Sequence, residues 1–499
     1  MSQLKKGALL SYITIFLTNI IGLLLTPFII KKLGDAEYGL YTLIGAFVGY
    51  ISVLDFGLNN TIIRFVAKYK AEKDKKGEEN FLAITMGIYG VISVIIVLVG
   101  IVLYFNLDTI FSNSLTLEEL NKAKIMFIVL IFNLAITLPG GAFTAICSGY
   151  EHFVFPRTVN IIRYLVRSLM VVGLLLLGGD AIGLVILDTI MNILVIILNG
   201  YYVLKKLKVV FKLHYFETPL VKEIFAYSIW IFIFALVQMF QWKSGQIILG
   251  INVNTVSVAV YAIGIMLGTY YGAFASAING VVLPRATQMV VNKESGEVLT
   301  KMMIKIGRVI ILVLGFILVG FIVLGENFIF LWVGEIYKDS YLIALLIMLV
   351  STVPLTQSFG NSILEASNKI KIKAIINLIT MIIGVVIGFY VSKNHGGLGM
   401  IICIVGALFI NAIITNIYFV KIFDFKIRAF FYETYAKSIF VMLFVLLVGR
   451  VLNEYIYEIS WGSFLIKGII LAIIYATLGF LIALNKNEKE SILNYLKKD

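Results

Sequence analysis

The sequence predicts an all-α polytopic membrane protein of about fourteen transmembrane helices, and three observations carry that prediction. The chain is 60% apolar and only 14% charged, with a mean hydropathy of +1.00. Apolar runs of about 20 residues, the length that crosses a hydrocarbon core of about 30 Å, recur from end to end. Most of the 41 Lys and Arg residues fall on alternate connections, the bias that marks cytoplasmic loops. No connection is long enough to build a soluble basic domain, so the net charge of +13 reads as topology and not as nucleic-acid affinity.

Taken in order, the expected spans are 7–30, 38–59, 81–104, 125–148, 159–178, 181–203 and 224–248, then 256–279, 303–325, 341–366, 373–392, 397–420, 435–453 and 462–484. Both termini are expected in the cytoplasm of a multi-pass plasma-membrane protein, with the largest inner basic clusters at 64–76, 205–222, 369–373 and 486–498. Lys5 and Lys6 precede an apolar run as in a secretory signal, yet the run continues through Pro27 into a full span, which favours a membrane anchor. Cys147 and Cys403 fall in or beside spans and suggest neither a disulfide framework nor a metal site. His152, His214 and His395 lie on different connections and form no ligand pattern. The longest outer loop expected, 106–124, holds no catalytic constellation, so no enzyme is expected.

An internal repeat organises the chain. A shift of 217 residues places Gly140 on Gln357, Thr144 on Asn361, Ser148 on Glu365 and Asn160 on Asn377. The Leu33-Gly34 pair recurs as Leu249-Gly250, Tyr41 as Tyr261 and Arg64 as Arg285. Six spans separate the copies, so both keep one orientation and a pseudo-two-fold axis should run along the membrane normal. The expected plan is a lobe over 1–210, a second over 211–425 around a central cavity, and 426–499 with two extra helices and a tail.

Polar residues inside spans supply the candidate sites. In span two, Tyr41, Gly45, Val48, Ser52, Asp55 and Asn59 recur at helical spacing and form one stripe. Its small residues also suit helix packing, but a packing face needs no carboxylate, so Asp55 is an ion-coupling candidate. Span ten carries Pro354, Gln357, Ser358, Asn361, Ser362 and Glu365, and span four answers with Asn133, Thr137, Pro139, Gly141, Thr144 and Ser148. Two polar, proline-kinked helices suggest hydrophilic cavity walls, with Glu365 either a coupling group or an interfacial carboxylate. Arg163 and Arg167 share one face of span five and could anchor a phosphate or pyrophosphate bidentately, the alternatives being snorkelling or pairing with Asp188 or Glu151. Asp188 is a third coupling candidate. Lys243 beside Trp242 reads as a cavity residue or an interfacial snorkelling lysine. Arg64 and Arg285 are gate candidates, whereas Lys305 and Arg308 sit where topology alone would put them.

The runs LGDAEYGLY, LDFGL and RFVAKY at 33–69, with YAIGIMLGTYYGAF and VVLPRATQMV at 261–290, resemble the polysaccharide-transport (oligosaccharide flippase, Wzx-like) family. That family belongs to the multidrug/oligosaccharidyl-lipid/polysaccharide flippase superfamily, and the fourteen-span layout extends the resemblance over the whole chain. Where members often carry an acidic residue in span seven, this chain has Lys243-Ser244-Gly245. The resemblance implies export of an undecaprenyl-pyrophosphate-linked oligosaccharide by alternating access, with the lipid tail held along spans thirteen and fourteen. It implies no cofactor beyond coupling to protons or sodium, and as partners the lipid-linked oligosaccharide, membrane lipids and a glycan polymerase or glycosyltransferases. A peptidoglycan-precursor (lipid II) flippase is the near alternative. An ion-coupled multidrug antiporter is the more distant one, because a cationic guest favours an acidic cavity.

Overall fold

The computed structural model describes residues 3–216, 218–279, 282–486 and 488–490, so the basic tail expected at 486–498 lies largely outside the described residues. The described chain is helical, in the order α1 (Gln3–Leu33), α2 (Asp35–Ser52), α3 (Leu58–Glu72), α4 (Lys75–Phe111), α5 (Leu117–Gly149), α6 (Val154–Leu176), α7 (Ala181–Tyr201), α8 (Thr218–Trp242), α9 (Ser244–Asn252), α10 (Thr255–Asn279), α11 (Val282–Val291), α12 (Gly296–Val333), α13 (Asp339–Thr356), α14 (Ser358–Ala366), α15 (Ile370–Phe423), α16 (Ile427–Tyr455) and α17 (Trp461–Leu478). Among the described residues, thirteen helical segments are long and apolar enough to span a bilayer. One of them, α15, has 54 residues and would measure about 80 Å, twice a bilayer, if it were straight. It is not straight. Gly396 adopts φ 52° and ψ −139°, which only glycine adopts easily, and the chain folds back there. Gly384 and Gly388 then pack against Cys403, Ala407 and Met400 of the returning half, so α15 supplies two crossings and the total is fourteen.

Two compact units emerge, Met1–Ala259 with Ser392–Gly396, and Val260–Val391 with Gly397–Asp499. In the first, α5 is central, packing on α2, α3, α4 and α7, while α6 lies between α1 and α7. In the second, α12 packs on α13, α14, α16 and α17. Small residues set the close approaches. Gly264 and Gly268, one turn apart on α10, abut Ile343 and Ile347 of α13, where a Cβ would come within about 2.6 Å of their side chains. In the first unit Gly39 of α2 meets the Thr255 carbonyl so closely that an added Cβ would lie 1.8 Å from it, and Glu119 holds that turn by accepting from the Thr255 hydroxyl at 2.7 Å.

The sequence repeat reappears in the helix ends. Left-handed residues occur in matched pairs at Lys73 and Lys293, Glu151 and Asn368, and Lys208 and Asp424, and the turn at Gly178 has its counterpart at Gly396. A left-handed residue ends a helix by freeing the chain to leave the axis, so the two units stop their helices at corresponding places.

Three expectations are corrected here. Span two is not one helix. After α2 a short 3-10 turn over Val53–Asp55 leads into left-handed Phe56 and Gly57 before α3 begins, so the stripe from Tyr41 to Asn59 is interrupted at Asp55. Span ten breaks at Gln357, three residues after Pro354, so its polar ridge is shared between α13 and α14. The outer loop expected over 106–124 is mostly helix, because α4 runs to Phe111 and α5 starts at Leu117 behind a Thr116–Glu119 capping box.

Candidate functional site

Two arginines stand deep within α6 of the first unit. Arg167 stands near the middle of α6, about 20 Å from Val154 and about 14 Å from Leu176 at about 1.5 Å per residue. A lone guanidinium there would cost several kcal/mol, roughly 3 on insertion scales. The fold neutralises it with Asp188 of α7. The Arg167 Nε donates to one carboxylate oxygen and Nη2 to the other at 2.9 Å, a bidentate pair. The Tyr41 hydroxyl of α2 donates to the same carboxylate at 3.1 Å. Tyr41 and the helices around it also join a small apolar cluster with Val171, Leu175, Leu184, Leu187 and Met191, so the pair is sealed on one side.

One turn away the seam continues with neutral partners. Arg163 Nη1 donates to Asn192 at 2.6 Å, and Asn192 donates to Asn133 of α5 at 3.1 Å. The Arg163 Nε is buried and has no hydrogen-bond partner in the structure, so this guanidinium keeps a donor in reserve. Arg163 and Arg167 thus share a face, as their spacing predicts, but differ in commitment. Arg167 is engaged by Asp188, the pairing that stood as the alternative to a phosphate anchor.

Asp55 occupies the break in span two. It accepts from the Tyr89 hydroxyl of α4 at 2.8 Å and from the Asn59 amide at 3.3 Å, with no cation beside it among the described residues. The bend is fixed by α8. Phe56 stacks on Phe232 at 4.7 Å, an added Cβ on Gly57 would lie 2.4 Å from Ile231, and Thr61 shares a 2.8 Å hydroxyl bond with Ser228. Arg64 does not reach Asp55. It is exposed and lies over the Tyr227 ring at 4.5 Å.

Lys243 stands at a helix break. α8 ends at Trp242, where the apolar span 218–242 also ends, and the helix resumes at Ser244 as α9 to Asn252. Its side chain runs past Gly49 of α2, and the neighbouring Ser244 hydroxyl bonds Tyr50 of the same helix. Lys243 and Ser244 therefore lie against α2 just before its end, whereas the bend at Phe56 and Gly57 packs further back along α8, on Ile231 and Phe232.

In the second unit the polar residues of span ten are tied to other helices. Gln357 is buried and exchanges two amide bonds with Asn416, at 2.7 and 3.4 Å. Asn361 accepts from Lys373 of α15. In the first unit Thr144 accepts from Asn199 at 3.0 Å. Asn416 lies 217 residues after Asn199, the offset that relates Gly140 to Gln357, so both units bind their fourth and sixth spans through the same asparagine. Glu365 is exposed on the last turn of α14, and Arg285, exposed on α11, bonds Gln288 at 3.4 Å. Tyr89, Asn192, Asn199, Lys373 and Asn416 were not singled out from sequence; the repeat offset alone could have found the two asparagines Asn199 and Asn416. Among the described residues no group of three or more His, Cys, Asp or Glu could hold a metal ion.

A family model described as polysaccharide biosynthesis protein matches residues 4–290, more than half of the chain. The chain belongs to that family. Among relatives of this polysaccharide biosynthesis protein is the uncharacterized membrane protein EpsK of Bacillus subtilis, 23% identical over 510 residues and covering 97% of both chains. The fold is similar to that of the lipid II flippase MurJ in an inward closed conformation, with a TM-score of 0.65 at 17% identity over 95% of this chain and 98% of that one. It is also similar to an inward-facing multidrug resistance MATE family transporter of the MOP superfamily, with a TM-score of 0.59 at 16% identity over 81% and 98%. The family is thus that of polysaccharide biosynthesis proteins, the fold is similar to those of multi-pass membrane transporters, and the seam in α6 and α7 lies in the part that the family match covers.

Proposed function

We propose that the protein is a flippase that moves an undecaprenyl-pyrophosphate-linked oligosaccharide from the inner to the outer leaflet by alternating access, for surface polysaccharide export. The observation that carries this reading is the guanidinium seam of α6 in a chain of the polysaccharide biosynthesis family. A pyrophosphate needs fixed cations away from bulk water, where charge-assisted hydrogen bonds are strongest. Arg163, with its unpartnered Nε, is the resident anchor. Arg167 is the conditional one, because Asp188 must release it. Asp188, a candidate coupling group, would have to exchange the guanidinium for an ion from solution as substrate takes its place. Asp55 and Glu365 are further coupling candidates, Thr144, Gln357, Asn361 and Lys243 candidate headgroup contacts, and Arg64 and Arg285 candidate gates.

The likeness to the lipid II flippase and to the MATE transporter concerns the fold and assigns no cargo, whereas the family match points to polysaccharide. The test is complementation. A strain lacking the gene and any redundant flippase should lose its surface glycan and accumulate lipid-linked repeat units, and Arg163→Ala with Arg167→Ala should fail to restore export at normal protein levels. Normal export by the deletion strain ends the proposal, and full activity of the double variant ends the anchor assignment.

A further inference from the structure

The lysine-rich end of the first unit holds a cavity of about 260 Å³ lined by Tyr69, Lys70, Lys73, Lys75, Glu78, Tyr150, Leu207 and Lys208. Its lysines come from separate parts of the chain: the end of α3, the start of α4 and the turn after span six. The one carboxylate lining the cavity lies close enough to feel Lys70 and Lys75 but cannot balance four ammonium groups. Glu78 is buried and accepts the Tyr150 hydroxyl at 2.6 Å, while Lys73, Lys75 and Lys208 form no ion pair among the described residues. Lys70 is held in place, donating to the Tyr150 carbonyl at 3.0 Å and lying 5.2 Å from that ring.

Positive-inside bias would scatter lysines here without building a cavity, and the matched end of the second unit shows the alternative. There the chain is tied the same way, with Thr300 accepting the Lys426 backbone N–H at 3.0 Å as Asn80 accepts those of His214 and Tyr215 at 3.0 and 3.1 Å. Yet Asp424 stands in the left-handed position that Lys208 holds and pairs with Lys426 at 2.8 Å, and Lys301 pairs with Glu297 at 2.7 Å. Gly296 lets the chain close in, so that an added Cβ would lie 2.3 Å from the Phe423 carbonyl. One scaffold is closed and charge-paired, and the other is open with free ammonium groups.

The backbone supplies a second observation. Lys73 and Lys208 have φ of 57° and 54°, in the left-handed region where a Cβ is strained and glycine is the natural occupant. Lys293 is left-handed at the matched end as well, so this conformation ends both helices alike; what sets the first unit apart is that Lys208 stands where the second has Asp424, and that both of its left-handed lysines line one cavity.

We propose that this cavity binds a phosphate-bearing ligand, its oxygens held by Lys70, Lys73, Lys75 and Lys208. The site is separate from the seam in α6, and the ligand is either the headgroup of an anionic phospholipid or a soluble phosphorylated compound. The same chemistry serves both sources, and the test separates them. The full-length protein is purified from vesicles of phosphatidylcholine with or without phosphatidylglycerol and retained lipid is measured by native mass spectrometry; in detergent, inorganic pyrophosphate is titrated against Tm. Retained phosphatidylglycerol with no pyrophosphate response identifies a lipid headgroup, and the reverse a soluble ligand. Lys73→Gly with Lys208→Gly should weaken binding at least about tenfold, two charge-assisted contacts being lost, while ligand-free Tm stays level or rises as backbone strain is relieved. Lys75→Gln, at an exposed first-turn position, gives the same reading should the glycine variant express poorly. Failure of both probes to bind the native protein, or equal binding by native protein and folded variants, overturns the proposal.

Discussion

The seam between the fifth and sixth spans of the first unit is ionic, and the corresponding seam of the second unit is made of amides. Arg167 and Asp188 close the first with a bidentate ion pair, while Asn411 donates to Asn377 across the second, held in turn by Thr415 one turn along its own helix. Asn377 is the repeat counterpart of Asn160, so the two seams begin alike and diverge one turn later, where the first unit has Arg163 and the second has Thr380. A bilayer tolerates either solution, but at different cost. Amide bonds between membrane helices contribute about 0.6 kcal/mol on average, because an unfolded helix in lipid finds other partners. An ion pair broken on one side leaves a charge with none. The ionic seam is therefore the more easily damaged of the two, and it is the one the proposed transport role uses.

The comparison can be broken by experiment, and the largest effect is expected at Asp188. Asp188→Leu strands Arg167 in mid-span. Each side chain of the pair stays about a quarter exposed, at 22% and 25%, so the loss should fall near the insertion-scale value of about 3 kcal/mol and not at the far larger figures for a fully buried charge. A marked drop in Tm and in extracted folded protein should follow. Replacing both partners, with Arg167→Met and Asp188→Leu, removes the charges together and should return stability to within about 1 kcal/mol of the native protein. Export by this double variant should stay absent. If it exports glycan normally, the ionic seam is structural after all.

A smaller effect is expected at Asp55. Tyr89→Phe deletes one hydrogen bond to the carboxylate and should cost about 1–2 kcal/mol, read as a modest fall in Tm, and should alter the pH dependence of export if Asp55 couples transport. An unchanged pH profile would leave Asp55 as a brace for the bend. The smallest change should come from Asn411→Leu, about 0.6 kcal/mol, with export intact. A loss there as large as at Asp188 would erase the contrast between the two units.

Much of the fold was legible because lipid leaves little choice. Every backbone polar group must be satisfied within its own helix, so length and hydropathy alone give the crossings, and the even spacing of the repeat gives two like-oriented copies. The pairing of Arg167 with Asp188 was visible as one of several readings, beside a phosphate anchor, snorkelling and pairing with Glu151. The interruptions were harder to see. Nothing in LDFGL requires Phe56 to adopt a left-handed conformation; that follows from Phe232 and Ile231, which lie far along the chain on α8. Tyr89 reads as one more aromatic in an apolar helix until α4 is set beside Asp55. Lys243 stays open between a cavity and an interfacial reading, because hydropathy cannot register a helix that breaks and resumes as α9.

One helix ties these places together mechanically. At 37 residues α4 measures about 55 Å, some 10 Å more than a bilayer with its headgroups, and a helix resists compression along its axis far better than it resists tilting. It behaves as a beam. Lys75 and Glu78 load one end at the lysine cavity, the Tyr89 hydroxyl touches Asp55 about 20 Å further along, and Asp108 is clamped to Lys124 at 2.6 Å near the other end. With the far end pinned, a small swing at the lysine cavity becomes a proportionate sideways displacement at Tyr89. The lysine cavity and the hydrogen bond to Asp55 therefore share one continuous helix.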